Sequence, residues 1–113
     1  MKYMLLIYNN AESRQSADMD RIRAEVDTIM DELRASGEFV GGMALADTAR
    51  TVKVRDDVPV ITDGPFLEAK ELMAGFLVVD VESVERATEI AARWPDARES
   101  AMEVRAVIGE VTE

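Results

Sequence analysis

The sequence predicts a single α+β domain over residues 1–113, with βαββαβ order, an antiparallel sheet, two helices on one face and an inserted hairpin. Three observations lead there. Two stretches carry apolar residues at three- and four-residue steps, the mark of an amphipathic helix. Each is flanked by short apolar runs of strand length. Between the two halves, Asp56-Asp57 separates two segments rich in β-branched residues, which reads as a hairpin turn. A chain of 113 residues also lies within the common single-domain size of roughly 100–150.

The elements follow in order. After Lys2, the run Tyr3 to Tyr8 is apolar or aromatic without a break and stops at Asn9-Asn10, as suits a strand buried on both faces. Residues 11–16 are polar and read as a loop. Ser16 or Asp18 caps a helix over 18–35. Its stripe is Met19, Ile22, Val26, Ile29, Met30 and Leu33; Asp18 and Asp20 suit its positive end, and Gly37 stops it. A strand over 39–46 contains Gly41-Gly42, which points to a bulge or a close backbone approach. Residues 51–55 alternate apolar and polar, and 58–62 do so less cleanly, with Pro59 marking an edge position. Residues 63–71 read as irregular and charged. A strongly apolar strand over 74–81 comes next. Ser83 caps a helix over 83–94, with Glu82 and Glu85 at its start and Val84, Ala87, Ile90, Ala91 and Trp94 as its stripe. Pro95 ends that helix, and 102–108 is the last strand.

Two βαβ units joined by a hairpin make a ferredoxin-like arrangement. Right-handed crossovers put both helices on the same sheet face. Yet the first strand is apolar on both sides: Tyr3, Leu5 and Ile7 point one way, Met4, Leu6 and Tyr8 the other. The strand around 76–79 behaves alike. An uncovered apolar face marks an interaction surface, so a homodimer packed through the open sheet face is expected.

Composition excludes several functions. With 23 acidic and 13 basic residues the chain carries a net charge of −10, which disfavours phosphate backbones and so nucleic acid. It has no cysteine, hence no disulfide and no thiolate chemistry. It has no histidine, the usual general base and metal ligand, so Ser-His-Asp and Cys-His systems are impossible. Gly37 to Gly42 lacks dinucleotide-binding spacing and no phosphate-binding loop occurs, so no cofactor is implied. No calcium-loop spacing appears either, and no metal is expected. The start shows neither a signal-peptide pattern nor a membrane span, which makes the cytoplasm the expected compartment.

The segment Thr62-Asp63-Gly64-Pro65-Phe66-Leu67-Glu68-Ala69-Lys70-Glu71 resembles the signature of the DGPF-domain proteins, a branch of the YCII-related family. Lys2 to Tyr8, Gly41-Gly42, Gly75-Phe76 and Glu103-Val104-Arg105 resemble that family too. The resemblance spans nearly the whole chain. It implies a ferredoxin-like fold of the dimeric α+β barrel superfamily, with no settled biochemical activity. It also implies a regulatory setting linked to extracytoplasmic-function sigma factors. The chain departs from the family pattern at Met73-Ala74-Gly75 and over 99–106. Some members of the wider group carry a His–Asp pair suggested to be catalytic; without histidine, this chain cannot use that mechanism.

Six residues are the candidates for chemistry. Asp63, in an Asp-Gly-Pro turn, is either a turn residue or a carboxylate at a pocket mouth, where apolar surroundings would raise its pKa. Phe66 either enters the core or lines that pocket. Glu68, Lys70 and Glu71 form either a solvated charged loop or a pocket lining. Arg105 shares a strand face with Glu103 and either pairs with a carboxylate or binds an anion. Tyr3 and Tyr8 read as core residues with hydrogen-bonded hydroxyls. Two functions fit: a homodimeric small-ligand-binding or regulatory protein, or a small enzyme. In the enzyme Asp63 or Glu68 transfers the proton, while Lys70 or Arg105 holds an anionic substrate.

Overall fold

The computed structural model describes residues 1–10, 18–65 and 72–111. Its elements are β1 (Lys2–Asn9), α1 (Met19–Ser36), β2 (Phe39–Ala44), β3 (Arg50–Arg55), β4 (Val58–Asp63), β5 (Leu72–Asp80), α2 (Val84–Arg93), α3 (Asp96–Glu99) and β6 (Ala101–Ala106). Four strands form one antiparallel sheet in the order β2-β5-β1-β6, and β3-β4 form a separate two-stranded sheet. The mixed α+β class is thus as expected, and the order is compatible with a ferredoxin-like arrangement.

Local chemistry explains the boundaries. Asp18 accepts a hydrogen bond from the Arg21 amide and caps α1; Ser16, the other candidate, lies outside the described residues. At the other end the Gly37 amide donates to the Arg34 carbonyl and the Glu38 amide to Leu33, a paired closure of the last turn. Ser83 caps α2 through the Arg86 amide. Pro95 stops α2 but also opens α3, a third helix that the sequence reading lacks. Its missing N–H costs nothing at a helix start, and its φ of −55° is already helical. The last strand stops at Ala106 rather than 108, because β1 begins at Lys2 and offers no partner beyond the bond from the Val107 amide to the Lys2 carbonyl. Conversely β5 starts at Leu72, two residues early, because Asn9 is there to pair with it.

The core lies between one sheet face and the helices. Tyr3 and Leu5 from β1, Leu77 and Val79 from β5, Ile29 and Leu33 from α1, and Ala87, Ile90 and Ala91 from α2 form one buried cluster. Met19 and Val84, counted in the helical stripes, are exposed. Ion pairs tie the helices together across the outside. Glu25 and Glu32 of α1 reach Arg98 of α3 and Arg93 of α2. Glu38, just after α1, takes both a 2.8 Å bond from Arg86 Nε and a 2.8 Å bond from Arg86 Nη2.

The glycine pair does both things expected of it. A bulge lies between Phe39 and Gly41 in the β2–β5 ladder. A side chain at Gly42 would come within 2.6 Å of the Phe76 carbonyl oxygen, and one at Gly75 within 2.5 Å of the Met43 carbonyl oxygen. Both obstacles are backbone, so β2 and β5 approach this closely only with glycine at these positions.

Candidate functional site on the open sheet face

Strand register builds the face opposite the helices. Directly paired residues share a face. Met43 of β2, Phe76 of β5, Leu6 of β1 and Glu103 of β6 therefore stand in one row across all four strands. Gly41, Val78, Met4 and Arg105 form the next row. The centre of the face is apolar and its β6 margin is charged. Leu6 is buried there yet stands outside the core cluster; Met4, Tyr8, Phe76 and Val78 are half-buried, and Met43 is 68% exposed. None of these residues belongs to the core cluster that the helices close.

Tyr8 completes the charged margin. It pairs with Ala101, so Glu103 is its diagonal neighbour on the same face. A register shift between Ile7 and Tyr8 in the β1–β5 ladder bulges β5 at Ala74 beside it. Burial pushes the Tyr8 hydroxyl above its ordinary value; the Glu103 carboxylate adds to this by charge and as hydrogen-bond acceptor, while Arg105 opposes it. Tyr8, Glu103 and Arg105 thus sense one another. Together they offer a hydroxyl donor, a carboxylate acceptor and a guanidinium fork, a set suited to a small polar ligand with an anionic group.

Arg105 is the candidate residue that falls in this site. Asp63 ends β4, in the other sheet, where it pairs with Arg50. The residues around it form the turn the sequence suggests. Gly64 sits at φ 110°, open to glycine and not to other side chains; its amide donates to Ala49, and its carbonyl accepts from the Thr51 hydroxyl at 2.7 Å. The Asp63 side chain is 92% exposed, which fits the turn-residue alternative and not the carboxylate in apolar surroundings. Phe66, Glu68, Lys70 and Glu71 lie outside the described residues.

Tyr8 and Glu103 are what sequence reasoning missed as partners. Glu103 was visible as sharing a face with Arg105, but the link to Tyr8 depends on the β1–β6 register, which no local pattern specifies. Among the described residues no group of three acidic side chains is placed to hold a metal ion, and no helix is long and apolar enough to cross a membrane.

Comparison with known proteins agrees with the wider family that the motifs resemble. The sequence profile described as the YCII-related domain matches residues 1–110. An uncharacterized protein of Rhizobium meliloti (strain 1021) is 28% identical over 106 residues, covering 88% of this chain and 85% of the relative.

Proposed function

We propose that this chain, which belongs to the YCII-related domain family, is a homodimeric small-ligand-binding protein with a regulatory role. In this reading two ferredoxin-like subunits bury their open sheet faces against each other as a dimeric α+β barrel. The ligand sits at the margin formed by Tyr8, Glu103 and Arg105. The observation that carries it is the apolar row Met43–Phe76–Leu6, which ends in charge at Glu103 and has no helix over it among the described residues. Apolar surface of this kind is stabilised by a partner. A paired arrangement would also bring two copies of the charged margin towards one interface.

The DGPF-like segment adds to the proposal. Phe66, Lys70 and Glu71 are the ligand-binding residues it would supply beside Arg105, and Asp63 and Glu68 its groups for proton transfer if the ligand is a substrate. The regulatory setting is a sigma-factor-linked one, by the same likeness, in the cytoplasm.

Native mass spectrometry of the purified protein tests the reading. The expected result is a two-subunit species carrying a small-molecule mass that is lost in Arg105→Gln. A monomer at micromolar concentration overturns it.

A further inference from the structure

On the other side of the sheet, between α1 and the β2–β5 edge, lies a cavity of about 420 Å³. That is within the roughly 300–1,000 Å³ typical of small-molecule sites. Its helix-side wall includes Val26 and Met30 of α1, Ile7 and Leu77 of the sheet, Phe39 and Trp94, all apolar or aromatic. One cation stands among them. Arg34, in the last turn of α1, lies with its guanidinium carbon 5.3 Å from the centre of the Phe39 ring. The ring face holds the guanidinium over the cavity by cation–π attraction. Its acidic neighbour, Asp31, is 3.7 Å away and largely exposed, a loose pair in water.

From this we infer that the cavity is a second binding site, for an amphipathic small molecule with an apolar body and one carboxylate. The apolar body fills the space beside Trp94 and Val26. The carboxylate takes two parallel hydrogen bonds from Arg34, whose planar fork matches its geometry. Charge selects the occupant. The chain as a whole is strongly acidic and repels anions at long range, so a guanidinium at an apolar mouth discriminates by contact and not by steering. The cavity opens at the β2–β5 edge, where Met43 and Phe76 also border it, but the residues assigned to the ligand, Arg34, Val26 and Trp94, all lie on the helix side of the sheet.

Trp94 is the sole tryptophan and only 7% exposed, so its emission reports on the cavity. Decanoate, below its micellar concentration, and its neutral counterpart decanol, below its solubility limit, are titrated into the full-length protein at neutral pH. Decanoate is expected to shift Trp94 emission saturably and to bind about tenfold or more tightly than decanol, the difference a charge-assisted pair supplies. Arg34→Gln is expected to bring decanoate down to the affinity of decanol and to leave decanol unchanged. Val26→Phe is expected to weaken both by filling the space. Because that variant also disturbs packing, the exposed Arg34 carries the decision. No saturable change with either probe overturns the inference. So does equal binding of the two by the unaltered protein, or an Arg34→Gln protein that still prefers decanoate. Sedimentation of the same samples separates the two proposals: a dimer that ignores decanoate loses only the cavity, and a monomer that binds it loses only the dimer.

Discussion

Two faces of one sheet, made by the same strands from the same kinds of residue, end in different environments. On the covered face Leu5 is wholly buried by α1 and α2. On the other, its neighbour Leu6 is 8% exposed and stands outside the core cluster. A strand buried on both sides and a strand with one face awaiting a partner read alike as sequence, because both are continuous apolar runs. What separates them is the supply of helices. Among the described residues the helices cover one face of the four strands and none covers the second.

The largest expected effect sits on the covered side. Leu5→Ala should cost about 3–4 kcal/mol, since the side chain is lost from a closed core that relaxes little. Leu6→Ala should cost clearly less in subunit stability, about 1–2 kcal/mol, with its further effect appearing in self-association. Urea unfolding at several protein concentrations measures both. Equal, concentration-independent losses would mean that the two faces are equally closed within one chain.

Phe76→Glu addresses the open face directly. A charge in the middle of the row Met43–Phe76–Leu6 would have to be buried unpaired in a dimer. Self-association should weaken at least a hundredfold, about 2.7 kcal/mol, while far-ultraviolet circular dichroism stays unchanged. Sedimentation equilibrium gives the outcome, and an unaltered association constant would place the interface elsewhere.

Legibility in the sequence follows the range of the interaction. The helix start at Ser83, the stop at Gly37 and the hairpin turn are settled within a few residues and were readable, while the first helix's cap was narrowed to Ser16 or Asp18 and the glycine pair to a bulge or a close approach. The third helix was not, because Pro95 acts as both a stop and a start, and the stop is the commoner role. The rows Met43–Phe76–Leu6–Glu103 and Gly41–Val78–Met4–Arg105 depend on strand order and register, which link residues far apart in the chain. The Tyr8–Glu103 neighbourhood was hidden for the same reason. Asp63 shows the split within one residue: its turn chemistry is local and was legible, and which of its two alternative surroundings it has depends on the distant packing of the hairpin.

The pair between Glu38 and Arg86 is another long-range feature, spanning 48 residues, and it stabilises the covered side from outside. Two bonds from the Arg86 guanidinium, then one from the Ser36 hydroxyl, hold the Glu38 carboxyl far down, at about 2 against an ordinary 4.5. A carboxyl depressed in the folded state adds stability above its unfolded value and loses it as pH falls through the folded one. The contribution should thus be complete above about pH 4.5 and fade towards pH 2. Glu38→Gln should cost about 1–2 kcal/mol at neutral pH. That is less than the whole displacement would convert to, since water reaches the pair: Glu38 is 17% exposed and Arg86 more so. The gap between the two proteins should close in acid, and thermal melts from pH 2 to 7 will show whether it does. A constant gap would assign the effect to packing instead.

The smallest effect concerns the hairpin, which extends the contrast between covered and open surface. Asp56 and Asp57 form its two-residue turn at φ 49° and 64°, both in the left-handed region. This geometry matches the twist of the strands but favours glycine, above all at the second position. Asp57→Gly removes that strain and one of two adjacent like charges, and should stabilise the hairpin by about 0.5 kcal/mol. Where that gain appears decides how the hairpin is held. Val52, Val54 and Ile61 on one of its faces are all exposed, and a two-stranded sheet with no cover is marginal alone. The gain should then be local: amide exchange between 50 and 63 slows about twofold, and global unfolding does not move. If global stability rises by the same amount instead, the hairpin unfolds together with the core, which requires that its valine face be covered in solution.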